Sequence, residues 1–460
     1  MSQGGIIMNL QGKKVLVFGS GKSGIGAAEL LGQVGAEPVI YDGNADLDKE
    51  AVVHKVKHCK DIRVYAGELP QEVRKALDLV VLSPGVPTDI PIVKSFYEQG
   101  LPVWGEVELA YRTGKGRVLA ITGTNGKTTT TALLGKIMGD AEESVFVVGN
   151  IGTPYTSKAL EMQDNTTTVA EISSFQLETI EEFAPKVSAI LNITEDHLNR
   201  HHTMEEYIRV KELIVKNQTA DDFCILNYED PVLREFGRNI TPKVVYFSSV
   251  RKLEEGIYLD GDQIILKTYE EEIPLVHTGE LKLLGQHNFE NVMAASAMAY
   301  YAGVPVESIR KSICEFTAVE HRIEYVTEKN GVAYYNDSKG TNPDAAIKGI
   351  QAMNRPTLLI GGGYDKGSGY DEWLNAFDGK VRYLVLIGQT RDKIKAAAER
   401  LGVCPCILCE NLEEAVKVCA EKANPGDAVL LSPACASWGQ FDNYEQRGDM
   451  FKEQVRGYLK

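Results

Sequence analysis

The chain has 460 residues, 43% hydrophobic and 25% charged, which is enough apolar material for about three ordinary globular domains. Its 49 Lys and Arg against 64 Asp and Glu leave a net charge of −15, which argues against a nucleic acid as the main partner. The N-terminal stretch MSQGGIIMNLQGKK has no long apolar region, no later run approaches the ~18 apolar residues of a membrane span, and eight cysteines are too sparse for a disulfide scaffold, so a cytoplasmic chain without a membrane partner is expected.

Strand patterns at Lys14–Phe18, Pro38–Tyr41 and Leu79–Leu82, with a helix from Gly24, predict βαβ units around a parallel sheet. The loop Gly19-Ser20-Gly21-Lys22-Ser23-Gly24 follows the first strand and opens the helix, and Asp42 ends the next strand. This is the dinucleotide fingerprint, in which glycines admit a pyrophosphate and the acid takes a ribose hydroxyl. It serves a dehydrogenase as readily as any other nucleotide binder. Ser83-Pro84-Gly85 ends another strand on the same carboxyl edge. From Gly105 to Lys115 the pattern lapses into a polar, glycine-containing stretch that reads as a linker.

The second segment opens with an apolar run, Val118–Ile121, that predicts a buried strand. Gly123 and Gly126 allow a tight turn, and Thr128 to Met138 has helical periodicity. Strand, loop and helix start then surround one anion with backbone N–H groups, Lys127 supplies a point charge and Thr128 a hydroxyl for Mg²⁺. Ile121 stands where the strict phosphate-loop pattern has Gly, so this is a variant triphosphate cradle. Strands are expected at Thr168–Ile172, Ser188–Ile193 and Phe223–Asn227, and a long helix near His287. Glu171, one βα unit after the loop, is placed either to hold Mg²⁺ beside a γ-phosphate or to sit on the surface as an ordinary strand-end acid. Asn192 to His197 falls on the same edge. His197 and His201 have the spacing of a zinc pair, but no Glu lies between them and oxygen ligands dominate, which disfavours zinc. Lys211, on a helix from Met204, is by default a solvated surface lysine.

The third segment starts near His321-Arg322 and returns to alternation, with strands at Val332–Asn336, Pro356–Gly361, Val381–Ile387 and Ala428–Leu431. Polar loops at 336–342, 361–366 and 432–438 on one sheet edge suggest a second ligand pocket facing the phosphate loop. Cys404, Cys406, Cys409 and Cys419 fit no common zinc spacing and read as small buried residues, with Val403–Leu408 as a strand. The expected fold is α/β in three domains: a Rossmann-like domain over 1–112, a central P-loop-type ATPase domain over 113–317 and a C-terminal Rossmann-like domain over 318–460.

Taken together, Gly123-Thr124-Asn125-Gly126-Lys127-Thr128, Asn288 and Asn291, His321-Arg322 and Asn336-Asp337-Ser338-Lys339 resemble the Mur ligases of peptidoglycan synthesis, in order and over nearly the whole chain. The tail from Ser432 to Gly448 is similar to the pattern that accompanies D-glutamate as the incoming amino acid. The Asp-Asn-Pro-Arg motif of the diamino-acid-adding sibling is absent, and folate-type polyglutamate ligases share the phosphate loop but not this tail. Gly439 stands where Asp is usual and Tyr444 where Phe is usual; neither removes a charge assigned to substrate.

The resemblance implies an ATP-dependent carbon–nitrogen ligase: a carboxylate of UDP-N-acetylmuramoyl-L-alanine attacks the γ-phosphate of ATP, and the amine of D-glutamate attacks the resulting acyl phosphate. By the same matching, Thr128 and Glu171 hold one Mg²⁺, and His197 with a carbamylated Lys211 holds another. Lys127, His197 and Lys211 form the catalytic set. ATP falls to Gly123, Thr124, Asn125, Gly126, Lys127, Thr128, Thr129, Asn288, Asn291, Arg322 and Asp337. The UDP-sugar falls to Lys22, Ser23, Asp42, Gly43, Ser83, Asn150 and His197, and D-glutamate to Thr341, Lys366, Ser437 and Tyr444. A cytoplasmic monomer acting on small molecules is implied. Two other readings stay open: another amino-acid-adding ligase of the family, and a nucleotide-dependent switch, which explains the phosphate loop but not the polar-loop domains beside it.

Overall fold

A computed structural model of the chain describes residues 9–59, 62–150, 152–317 and 320–458. They fall into two compact units, Met1–Leu275 with Asn291–Ser312 and Val276–Glu290 with Ile313–Lys460. The first unit contains two sheets. In one, β1 (Lys14–Phe18), β2 (Glu37–Asp42), β3 (Arg63–Ala66), β4 (Leu79–Leu82) and β5 (Val103–Gly105) pair in parallel in the order β3-β2-β1-β4-β5. Val15–Phe18 and Leu79–Leu82 are buried on both faces, as unbroken apolar runs in a parallel sheet require. Strand order reverses between β1 and β4, and such a reversal opens a crevice at the carboxyl ends of those strands. The first helix starts at Lys22, two residues before the expected Gly24.

The stretch expected to be a linker is instead the helix Glu106–Thr113. Val107, Leu109 and Ala110 are buried, as are Glu106 and Glu108, which look like surface residues in the sequence. Glu108 accepts the backbone N–H groups of Glu181, Glu182 and Phe183 at 2.9, 2.9 and 3.1 Å and pairs with Arg112 at 2.7 Å. Main-chain donors therefore answer the buried charge, and the helix packs against the first unit's core.

The second sheet comprises β6 (Arg117–Thr122), β7 (Val145–Gly149), β8 (Thr167–Glu171), β9 (Val187–Ile190), β10 (Phe223–Asn227), β11 (Lys243–Ser248), β12 (Gly256–Asp260), β13 (Gln263–Lys267) and β14 (Glu272–His277). Their order, β14-β13-β12-β11-β10-β9-β6-β8-β7, puts β6 between β9 and β8. The ends of these three strands thus bring the phosphate loop, Glu171 and the segment after Leu191 to one edge. The expected long helix is Gln286–Tyr301.

In the second unit, β15 (Glu324–Lys329), β16 (Val332–Asn336), β17 (Thr357–Gly362), β18 (Val381–Ile387), β19 (Cys406–Leu408) and β20 (Ala428–Leu431) form the order β15-β16-β20-β17-β18-β19, antiparallel only at β15. The strands before the three polar loops, β16, β20 and β17, are consecutive neighbours. Strand β19 is half the expected length; Cys409 and Cys419 are buried in an apolar cluster, as expected, whereas Cys404 and Cys406, near the sheet edge, are only partly buried. The expected boundary at 317/318 abuts residues 318 and 319, outside the described residues.

Candidate active site

Strand β6 delivers the chain to Gly123 at φ 146° and Gly126 at φ 84°, both in the left-handed region. A Cβ at Gly126 would also run into Asn291 Oδ1, so the close approach of Asn291 to the loop requires glycine there. Gly126 opens the helix Lys127–Ala141, whose first-turn N–H groups have no partner within the helix and whose dipole favours an anion. The loop is braced from the neighbouring strand: Asn125 N donates to Asn192 Oδ1 at 2.8 Å and Thr124 N to the Asn192 carbonyl at 2.9 Å. Thr124 Oγ1 lies 3.0 Å from the Tyr207 hydroxyl, and Thr130 Oγ1 donates to Asn291 Oδ1 at 3.2 Å. Asn192 and Tyr207 are absent from the sequence-derived site; Asn192 was visible only as one polar residue in a strand-end run, and Tyr207 gave no signal.

The Lys127 ammonium donates to the carbonyls of Gly123 and Thr124 at 2.8 and 2.9 Å. Lys211 Nζ donates to the same Gly123 carbonyl at 2.8 Å. The default expectation for Lys211 is wrong: it is 1% exposed, with its ammonium 4.7 Å from the centre of the Tyr207 ring. Burial, and after it the neighbouring Lys127 charge, bring the Lys211 pKa down to about 7, while Asp196 acts in the opposite sense. Its amine is therefore substantially neutral near physiological pH.

Glu171 is likewise buried rather than on the surface. Its Oε1 accepts from Asn150 Nδ2 at 2.8 Å, and its buried Oε2 has no partner among the described residues. A buried carboxylate oxygen left unanswered is costly, and a hard divalent cation would answer it. With the Thr128 hydroxyl at the helix start, the donor set is all oxygen and fits Mg²⁺.

His197 sits at φ 52°, half exposed, with its backbone N–H donating to Asp196 Oδ1 at 2.8 Å, its ring Nε2 3.5 Å from Asp196 Oδ2 and its ring 4.9 Å from that of Phe175. His201 is buried, with Nε2 2.9 Å from Ser174 Oγ and Nδ1 3.5 Å from Glu178. Desolvation holds the His201 pKa down. Its ring nitrogens already face protein partners, so the spacing of the two histidines has a packing explanation.

A cavity of about 640 Å³ opens at the crevice between β1 and β4. Lys22, Ser23, Asp42, Gly43, Ser83 and Asn150 all line it, and His197 does not. Gln176, which sequence reasoning missed, does. Asp42 ties this site together from below: its Oδ2 accepts from Ser20 N and Oγ at 3.0 and 2.6 Å, and its Oδ1 from Asn44 N at 3.0 Å. Asn150 both lines the cavity and holds Glu171, so the cavity and the phosphate-loop carboxylate share a residue.

In the second unit the loops after β16, β17 and β20 are pinned to one another. Arg447, fully buried, donates to Ser338 Oγ at 2.9 Å, the Ser338 carbonyl at 2.8 Å and the Cys435 carbonyl at 3.2 Å. Ser338 Oγ donates to the Tyr444 carbonyl at 2.8 Å, and Tyr364 N to the Ala436 carbonyl at 2.9 Å. Ser437 is buried, Thr341 and Tyr444 are partly buried, and Lys366 is exposed. Arg447 lies within the Ser432–Gly448 tail but has no sequence-derived role, because nothing in its helix, Tyr444–Tyr458, marks it as the buried cation between two loops. Asn288 donates to the Leu284 carbonyl at 2.7 Å and belongs, with Arg322 and Asp337, to this unit, whereas Asn291 belongs to the first.

Asp337 is buried, accepting from Ser432 Oγ at 2.6 Å and Ile323 N at 3.3 Å. Burial raises its pKa to about 7, with the Ser432 hydrogen bond acting against it. Because the folded pKa lies above the unfolded one, this group's contribution to stability is complete below about pH 4 and is lost as pH rises through about 7. Asp337→Asn should therefore show a smaller drop in melting temperature between pH 5 and pH 8 than the parent protein, measured by scanning fluorimetry. An unchanged drop would show that Asp337 ionises freely in the fold.

Three family models match the chain in succession: Mur ligase MurD-like, N-terminal domain over 13–105, Mur ligase middle domain over 121–299, and Mur ligase, glutamate ligase domain over 321–435. Among solved structures, a UDP-N-acetylmuramate-alanine ligase of Thermotoga maritima shares the fold at TM-score 0.59 and 19% identity, covering 97% of this chain and 100% of that one. A pseudomurein peptide ligase type C of Methanothermus fervidus does so at TM-score 0.54 and 18% identity, with the same coverage. Curated relatives named UDP-N-acetylmuramoylalanine--D-glutamate ligase are far more similar. That of Lachnoclostridium phytofermentans is 57% identical and that of Lachnospira eligens 54%, each over 97% of this chain and 99% of the relative. That of Clostridioides difficile is 44% identical over the same shares. Identity at this level along nearly the whole length, over a fold with three such domains in this order, establishes that the chain belongs to the Mur ligase family.

Proposed function

We propose that this chain joins D-glutamate to UDP-N-acetylmuramoyl-L-alanine, cleaving ATP to ADP and phosphate through an acyl phosphate. The observation that carries the reading is the phosphate-loop cluster: Lys127 and Lys211 on one carbonyl, and a buried Glu171 with one oxygen that has no partner among the described residues. Bringing a carboxylate to a triphosphate opposes like charges. Lys127 and the N–H groups of the helix start offset that repulsion where charge develops on the γ-phosphate. The carboxylate oxygen bonds to phosphorus as the bond to the ADP oxygen breaks. The D-glutamate amine then adds to the acyl carbon, loses a proton, and phosphate leaves with the former carboxylate oxygen.

Mg²⁺, when bound, neutralises phosphate charge; Thr128 and Glu171 would hold one ion, and His197 with carbamylated Lys211 a second. A near-neutral, buried Lys211 amine suits carbamylation, since the free amine is the form that adds to CO₂. We assign the UDP-sugar to the cavity lined by Lys22, Ser23, Asp42, Gly43, Ser83 and Asn150, ATP to residues 123–129 with Asn288, Asn291, Arg322 and Asp337, and D-glutamate to Thr341, Lys366, Ser437 and Tyr444. We place the domain limits at 1–112, 113–317 and 318–460. We take the enzyme to act in the cytoplasm as a monomer; among the described residues no helix is long and apolar enough to cross a membrane.

The test is phosphate release with UDP-N-acetylmuramoyl-L-alanine and a panel of amino acids. Release should require both cosubstrates and should favour D-glutamate. Release without an amino acid would indicate a switch, and preference for another amino acid a sibling ligase. Lys366→Ala should raise the KM for D-glutamate by about 10-fold or more, a charged contact being worth roughly 1.5–3 kcal/mol, and leave that for ATP little changed. Equal effects on both would place Lys366 on the phosphates.

A further inference from the structure

Two large aromatic side chains on the loops of the second unit are not explained by its core: Trp438 is 55% exposed and Tyr364 40%. Their rings meet edge to face, with centroids 5.6 Å apart, and their loops are tied by the hydrogen bond from Tyr364 N to Ala436. The Lys366 ammonium lies over Trp438, 4.9 Å from the ring centre. No carboxylate among the described residues pairs with Lys366. Its neighbour Asp365 is engaged elsewhere, by Lys393 at 3.1 Å and by Gly367 N at 2.8 Å.

We propose that Trp438, backed by Tyr364, is a positioning residue that holds the Lys366 ammonium for a substrate carboxylate without neutralising it. This deepens the assignment of Lys366 to D-glutamate and rests on it. An aromatic face attracts a cation through its quadrupole and carries no net charge. An acid at the same place would fix the lysine equally well but would compete with the incoming carboxylate. Ser437, directly before Trp438, is buried, and its carbonyl accepts from Phe441 N at 3.1 Å, which holds the chain on either side of Trp438. Gly439, where the family usually has Asp, follows at φ 89°, a conformation that glycine adopts without strain as the chain turns away from the ring.

The experiment measures KM and kcat for D-glutamate and ATP in Lys366→Ala, Trp438→Leu, Trp438→Phe and the double variant Lys366→Ala/Trp438→Leu. An exposed cation–π contact of this kind predicts an about three- to fivefold rise in D-glutamate KM for Trp438→Leu, with kcat and the ATP KM nearly unchanged. Trp438→Phe should retain most of the parent value, and the double variant should be no worse than Lys366→Ala alone. Multiplying effects in the double variant, or an unchanged KM in Trp438→Leu while Lys366→Ala raises it, would overturn the platform and leave the Lys366 assignment standing. An unchanged D-glutamate KM in Lys366→Ala would remove both.

Discussion

Lys211→Ala should lose turnover by on the order of 10²-fold or more and regain part of it in high acetate, but not in chloride at equal ionic strength. If Lys211 works as a carbamate, the substitution deletes an anionic oxygen donor beside Mg²⁺ and leaves a space that a small carboxylate can enter. An ordinary surface lysine would give a change within about ±0.5 kcal/mol. The side chain is 1% exposed and shares the Gly123 carbonyl with Lys127, so the mild outcome is not expected. Its burial also means that alanine leaves a cavity, so Lys211→Met, which keeps most of the apolar stem, separates lost chemistry from lost packing. Both variants should be inactive, and only the alanine variant should respond to acetate. A fully active Lys211→Ala enzyme would show that the residue has no part in the reaction.

Lys127→Ala should lower kcat by about 10²- to 10³-fold while the protein remains folded. The ammonium closes the loop on itself through the Gly123 and Thr124 carbonyls, and in the proposed reaction its charge would meet the γ-phosphate. Lys127→Arg should be nearly as damaging, because a planar fork cannot take the place of a compact ammonium on two converging carbonyls. Unchanged melting with near-normal activity in Lys127→Ala would contradict the phosphate-loop assignment.

Much of the frame was legible in the sequence because buried parallel strands are continuous apolar runs: Lys14–Phe18, Leu79–Leu82, Val332–Asn336 and Ala428–Leu431 begin and end where periodicity places them. The glycine loops were legible for a related reason, since Gly123 and Gly126 occupy conformations other residues avoid. What was not legible is long-range compensation of charge. Glu106 and Glu108 look like solvent-facing residues until Thr156 and the N–H groups of residues 181–183 are seen around them. Lys211 looks like a surface lysine because its burial and its Gly123 acceptor come from a loop far away in sequence, and Arg447 is one charge in a polar helix until three acceptors from two loops converge on it. Local pattern records how a segment packs, whereas a buried ion depends on partners tens of residues away.

The most direct test of the proposed chemistry follows one oxygen atom. With ¹⁸O in the reacting carboxylate of UDP-N-acetylmuramoyl-L-alanine, attack on the γ-phosphate followed by amide formation must deliver one labelled oxygen to each phosphate released. Mass analysis of that phosphate should show a shift of two mass units, in step with amide product and dependent on D-glutamate. Unlabelled phosphate carrying oxygen from water would mean that ATP is simply hydrolysed, and would contradict the acyl-phosphate account.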